Sequence, residues 1–388
     1  MTSKGLVSSL AMFTLGQRQI ALAVSSIAIA ACGPSNGADA GRDGGLATIS
    51  FAAGAPLVGS AGSGSLAAAD INGDGHIDLV TSNMSDGVVV FLGRDNGTFM
   101  DPITSDPGID FVRPVLGDVN GDHHIDVVGV RRMNARFAVL LGDGTGHFGA
   151  ATDTAGAGWS AALADVNSDG RLDVVLPVSG PNGTVDVYLG NGDGTFMGAQ
   201  TAMASGDPEY AAVGDLDNDG HADIAVTDWL GTSVNVLPGH NDGTFGAATS
   251  LQGSNATRSI LVADLDGDSR ADLLTASADT NLNVYLNSAS GLRMGVGYPA
   301  GGSIAVGDVN GDGRPDVATQ ATNTMNARIF ITAADGSLGT GTSVMLGVEW
   351  ANPENVGRLV LADFNGDALA DLAGVGGTGV FVALNTSH

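Results

Sequence analysis

From residue 46 to the C-terminus, short apolar runs alternate with clusters of Gly, Asp, Asn and Ser in one recurring order. An apolar run such as Ala211–Gly214 or Ile304–Gly307 leads into a polar stretch of nine residues. A second apolar run follows, as at Val174–Leu176 and Ile224–Val226. Then comes an alternating run ending in Leu-Gly, as in VDVYLG over Val185–Gly190, and a turn into Thr-Phe, as in GNGDGTF over Gly190–Phe196. Asn-Gly and Asp-Gly between apolar alternations are strong hairpin signals. Each period therefore predicts four short antiparallel strands. The region carries no apolar stripe of helical period and useful length.

The polar stretch has the pattern D-x-[DN]-x-D-x-x-x-D. It recurs seven times, with starts separated by 48, 47, 50, 49, 44 and 55 residues. Its Asp and Asn positions are Asp70, Asn72, Asp74 and Asp78 in the first copy; Asp118, Asn120, Asp122 and Asp126 in the second; and Asp165, Asn167, Asp169 and Asp173 in the third. The fourth and fifth copies have Asp215, Asp217, Asp219 and Asp223, and Asp264, Asp266, Asp268 and Asp272. The last two have Asp308, Asn310, Asp312 and Asp316, and Asp363, Asn365, Asp367 and Asp371. Four-stranded units of this length predict an all-β fold, a seven-bladed β-propeller of four-stranded antiparallel blades. The last unit ends after Val380–Asn385 and lacks a fourth strand, whereas Thr48–Leu57 looks like the fourth-strand segment Thr244–Leu251. Thr48–Ala53 is therefore expected to pair beside Val380–Asn385, complete the last blade and remove its open edge.

Charge adds chemistry to this frame. The net charge of −27 excludes nucleic acid as a partner and argues against an anionic membrane surface. Asp outnumbers Glu by 39 to 3, which favours turns and ion loops over helices. The seven stretches hold 5×3 + 2×4 = 23 carboxylates. Left unneutralised, such clusters repel. Calcium takes about six to eight oxygen ligands, so the loops predict up to seven calcium sites, with a backbone carbonyl at position 7 in each shell. They are not EF-hands: no Glu stands at position 12 of any copy. Position 6 favours Gly for a sharp turn. Gly75, Gly170, Gly220 and Gly313 supply it, but His123, Ser269 and Ala368 replace it. The second, fifth and seventh sites are accordingly expected to be weaker. Position 7 is basic in six copies, as His76, His124, Arg171, His221, Arg270 and Arg314, and reads as an outward charge offsetting the acidic loop.

Residues 1–31 read as an export signal: Lys4 and Arg18 precede the apolar run Ile20–Ala31, whose 12 residues are too few to span a bilayer. The run ends in Ile29-Ala30-Ala31-Cys32, which resembles the bacterial lipobox, and Cys32 is the chain's only cysteine. Lipidation of Cys32 would anchor the chain, and residues 32–45 read as a flexible tether before a propeller over residues 46–388. Gly rather than Asp follows Cys32. By resemblance to Gram-negative lipoproteins, this implies an exported chain at the cell envelope, in the outer membrane.

The repeat unit resembles the FG-GAP/VCBS repeat, the blade of the integrin-α-type propeller, through its Dx[DN]xDGxxD loops and LGxGDGTF turns. The resemblance covers Thr48 to Asn385 and implies that each loop joins the first two strands of a blade on the lower face. It also implies that ligands meet the upper face. On that face it would place Arg113, Trp159, Glu209, Tyr210, Arg258 and Arg358 from the loops entering the first strands. Arg131, Arg132 and Trp229 would come from the loops between strands two and three. Aromatic rings beside Arg suit glycan or protein contacts. The expected function is a calcium-binding, lipid-anchored binding or adhesion module for a protein or glycan. Two alternatives stay open: a calcium-dependent polysaccharide-active enzyme and a purely structural subunit of an envelope complex. Against catalysis, the chain has no Gly-x-Ser-x-Gly elbow, no His-Glu-x-x-His pair and no Gly-rich phosphate loop.

Overall fold

The computed structural model describes residues 49–58, 64–83, 87–106, 112–131, 135–180, 183–254, 257–278, 281–293, 295–320, 326–345, 359–376 and 379–387, with two short strands at 14–15 and 18–19. Cys32 and the rest of the expected signal and tether, together with Arg132 and Arg358, lie outside the described residues.

Seven four-stranded antiparallel sheets follow one another along the chain. In blade one the strands are Ser65–Ala69, Asp78–Asn83, Gly87–Phe91 and Ile103–Ser105, ordered from the innermost strand outward. The innermost strands of blades two to seven are Val112–Gly117, Ala162–Ala164, Pro208–Gly214, Thr257–Ala263, Ser303–Gly307 and Leu359–Ala362. Each touches the next, and that of blade seven touches that of blade one, so the ring closes. The described residues contain no helix.

The last blade closes as the sequence predicts. Phe51–Ala53 forms its outer strand, with Phe51 opposite Asn385, Ala52 opposite Leu384 and Ala53 opposite Ala383. Gly54 and Leu57 extend the pairing by donating their amides to the carbonyls of Val382 and Val380 at 2.8 Å each.

The core is an annulus between blades. One apolar cluster joins Val80, Val88 and Leu92 of blade one to Val127, Leu140 and Phe148 of blade two, and another joins Phe364, Val375 and Val380 of blade seven to Leu66, Val89 and Phe91 of blade one. Both faces of the second and third strands are therefore covered, and only the outer strands are largely exposed.

The Gly-Asp-Gly-Thr-Phe turn after the third strand locks neighbouring blades. Its Asp accepts both the amide and the hydroxyl of the Thr two residues on, as Asp193 does from Thr195 at 3.0 and 2.5 Å. Its left-handed Gly then lies on the Leu of the preceding blade's Leu-Gly: Gly146 on Leu92, Gly194 on Leu141 and Gly243 on Leu189. Gly97 of blade one lies on Leu384 of blade seven. Where Leu is replaced by Pro238, the turn of the next blade is lost as well. There Asn287 donates its side-chain amide to the carbonyl of Leu216 in blade four at 3.2 Å. Asn385 does the same to Val309 of blade six at 2.8 Å.

Candidate metal loops and the opposite face

All seven nine-residue loops join the innermost strand of a blade to its second strand, as the family resemblance implied. Their shape comes from side chains that capture their own backbone. Asp215, at position 1, accepts the amides of Asp219 and Gly220 at 3.1 and 3.0 Å. Asp217, at position 3, accepts Asp219 N at 3.1 Å, and Asp219, at position 5, accepts His221 N at 2.8 Å. In every copy position 1 accepts the position 6 amide and position 5 accepts the position 7 amide, for example at Asp70 and Asp74 in blade one.

Position 9 differs from the other three. Asp78, Asp126, Asp173, Asp223, Asp272, Asp316 and Asp371 are all 0% exposed. In each, one oxygen accepts the amide of position 2 and the other accepts the amide at the end of the third strand. Asp223 Oδ2 accepts Leu216 N at 2.8 Å and Asp217 N at 3.1 Å, while Oδ1 accepts Gly239 N at 2.8 Å. Asp371 is held in the same way by Phe364 N and Asn385 N. Desolvation raises these carboxyls against the opposing pull of the amides: Asp223 to about 6, Asp316 and Asp371 to about 7. Position 9 is thus a keystone between the loop and the third strand as well as a possible ligand.

Positions 4 and 6 both take left-handed backbone. At position 6, His123, Ser269 and Ala368 adopt φ of 69, 67 and 69°, close to the 85–88° of Gly170, Gly220 and Gly75. The non-glycine copies therefore keep the loop shape and carry the strain of an L-residue there. At position 4, Ser168 and Asn218 do the same at 58 and 65°. Two of the basic residues at position 7 fold back on their own loops: Arg314 Nη2 donates to Asp312 Oδ2 at 2.6 Å, and Arg270 Nη2 donates to Asp268 Oδ2.

At positions 1, 3, 5 and 9 the loops offer only hard oxygen donors. Carboxylate oxygens of Asp215, Asp217 and Asp223 lie within 4.8 Å of one another, as do those of Asp264, Asp266 and Asp268. Such clusters could hold a metal ion, and their donor set suits a hard divalent cation.

At the other end of the blades, two groups of the expected upper-face residues come together. Arg113 sits at a register shift in the innermost strand of blade two, with φ of 56°. That conformation turns its side chain inward, where it is 8% exposed. Its guanidinium donates to the Trp159 carbonyl of blade three and, at 2.7 Å, to the Tyr210 hydroxyl of blade four, 4.9 Å from that ring's centroid. Tyr210 and Glu209 are likewise buried. This group ties three blades together at the mouth of the ring. Arg131 pairs with Asp153 on its own blade at 2.7 Å. The second group is open: Arg258 of blade five lies over the Trp229 ring of blade four at 4.3 Å, and both are half-buried. Leu230, next to Trp229 in the chain, is 81% exposed, which no sequence signal marked.

Comparison with known proteins agrees with this architecture. The FG-GAP-like repeat family matches residues 70–129, 118–176, 178–226, 264–319 and 308–374. The chain belongs to that family and is an FG-GAP repeat β-propeller. No curated protein matches it in sequence. Among solved structures it is similar to an Agrocybe aegerita lectin described as recognising non-reducing terminal N-acetylglucosamine, at 19% identity and a TM-score of 0.52, covering 87% of this chain and 93% of the lectin. It is also similar to BBS1N, solved in complex with ARL6DN, at 10% identity and a TM-score of 0.57, covering 86% and 96%. The exotype rhamnogalacturonan lyase YesX shares 13% identity at a TM-score of 0.50, covering 87% and 76%. These likenesses are of fold.

Proposed function

We propose that this chain is a calcium-stabilised binding module of the cell envelope, exported and lipid-anchored through Cys32 at the outer membrane. The face opposite its metal loops would dock a protein or glycan. The observation that carries the reading is the sevenfold repetition of one oxygen-rich loop at one edge of a closed ring. Asp and Asn at positions 1, 3 and 5 of each loop, with the position 9 carboxylate, would hold the ion. The cation would neutralise carboxylates that otherwise repel one another across the loop. On the opposite face, Trp229 and Arg258 offer the aromatic and guanidinium surface that concentrates binding energy in interfaces, and the adjacent Leu230 adds exposed apolar area. The fold is shared by a lectin, a propeller solved with a protein partner and a lyase, so the docking role is argued from the exposed patch and not from the fold.

The test is an array of glycans and envelope polysaccharides probed with residues 39–388 in calcium and in chelator, beside the W229A/L230A variant. Calcium-dependent binding that the variant loses supports the reading. Binding by wild type that the variant retains would remove the assigned patch. If the folded chain is silent on the array, a protein partner remains, to be sought by cross-linking in envelope extract with the same variant as control.

A further inference from the structure

The seven loops share one donor spacing, with Asp in place of Asn at position 3 of loops four and five, and differ also in what faces the position 5 carboxylate. In loops five and six a guanidinium is in hydrogen-bond contact with it, from Arg270 to Asp268 and from Arg314 to Asp312. The two arginines are also partly sheltered, at 34% and 30% side-chain exposure, and Arg270 Nε is buried with no hydrogen-bond partner. Loop three carries the same residue type at the same position, yet Arg171 stands 3.8 Å from Asp169 and is 49% exposed. Loop seven has Leu369 there and no charge. The position 6 substitutions, by contrast, leave the left-handed turn in place.

We infer that Arg270 and Arg314 are tethered counterions that lower the calcium affinity of loops five and six and make them the last to fill. The inference rests on the calcium reading above. Position 5 has only two carboxylate oxygens. In these loops Oδ1 accepts the position 7 amide at 2.9 Å and Oδ2 accepts the guanidinium, shared in loop six with the neutral Asn310 amide at 3.0 Å. An arriving cation must displace the guanidinium or share the carboxylate with it. In the first case a charge-assisted hydrogen bond is lost. In the second, a divalent and a monovalent cation stand a few ångströms apart. Either route weakens binding by about ten-fold, from Coulomb repulsion at partly solvated distances. The ring would then respond in two stages, with five loops filling before the adjacent pair.

Arg270→Met and Arg314→Met remove the charge and keep most of the apolar stem. Calcium titration of the whole propeller by calorimetry, with the thermal midpoint followed in parallel, reads the effect. The R270M/R314M chain should bind with unchanged stoichiometry, its weakest phase moved to about ten-fold lower calcium, while R171M should superimpose on wild type. A double variant with the wild-type titration, or with weaker binding, would overturn the inference and leave calcium binding standing. A folded wild-type chain that takes up no calcium would overturn both, and the two failures differ in the wild-type curve alone.

Discussion

Replacing Asp223 with Ala separates the architectural role of the nine-residue loop from its capacity for an ion. Asp223 is wholly buried and accepts three backbone amides, those of Leu216, Asp217 and Gly239. Stranding a buried amide costs about 1–3 kcal/mol, so three cost roughly 6 kcal/mol. A buried carboxylate is itself a burden that the variant relieves. With its pKa held at about 6 instead of 3.8, the ionised form at neutral pH is disfavoured by about 3 kcal/mol. The net loss expected in chelator is therefore about 3 kcal/mol. Asp217, in the same loop, is exposed and accepts one amide, that of Asp219 at 3.1 Å. Asp217→Ala should cost under about 1 kcal/mol in chelator. Urea unfolding of both variants with and without calcium gives four numbers. D223A should be weaker in both conditions, whereas D217A should resemble wild type in chelator and lose only the share of the calcium-dependent increment that loop four contributes. Equal losses in chelator would refute the keystone role of position 9.

Two further outcomes follow from the same geometry. The seven position 9 carboxyls have folded pKa values raised by desolvation, to about 6 for Asp78, Asp126, Asp173, Asp223 and Asp272 and about 7 for Asp316 and Asp371. A raised carboxyl contributes stability that is present below its unfolded pKa and lost as pH rises through the folded one. In chelator the urea midpoint should therefore fall between about pH 4 and 7, from the unfolded to the folded pKa values. The calcium increment should grow over the same window, since the ion needs the ionised form; a chelator midpoint that rises with pH would contradict the desolvation argument. At the seam between blades seven and one, a Cβ on Gly97 would meet Leu384 Cδ2 at 2.6 Å, at φ of 74°. Gly97→Ala should cost more than Gly75→Ala, where φ is 88° and nothing lies within 4 Å. The difference, read by urea unfolding, should be about 1 kcal/mol or more.

The blades were legible in the sequence because each second and third strand is buried on both faces between neighbours. Runs such as Gly87–Phe91 are therefore apolar throughout, and the loops between strands repeat one pattern. The outer strands left only faint traces because they face solvent: Thr152–Ala155 is TDTA, with no apolar pattern to read. The closing strand was found by likeness to another outer segment rather than by its own hydrophobicity. At the loops, donor positions were readable but their division of labour was not. Position 9 is an Asp like position 1. Its separate role comes from being the first residue of the second strand, where the pleat aims it at the third strand's last amide. Arg113 read as a ligand contact from its place before a strand. The register shift between Val112 and Val115 that turns it inward leaves no mark in the residue types.

The direction in which the closing strand runs sets the rim at which the described chain begins. Ser50 lies against Thr386 and Ser387, with its hydroxyl 2.9 Å from Thr386 Oγ1, and Phe51 pairs with Asn385, whose amide binds the position 9 carboxylate of loop seven. The strand therefore enters at the metal-loop rim and climbs toward Leu57, at the far rim. Any leash attached upstream of Ile49 leaves from the loop side. On the proposed anchor at Cys32, such a leash would tether the ring by its carboxylate-rich underside and leave Trp229, Leu230 and Arg258 on the far face. Divalent ions at the rim would then do a second job, screening the underside from an anionic bilayer that would otherwise push it away.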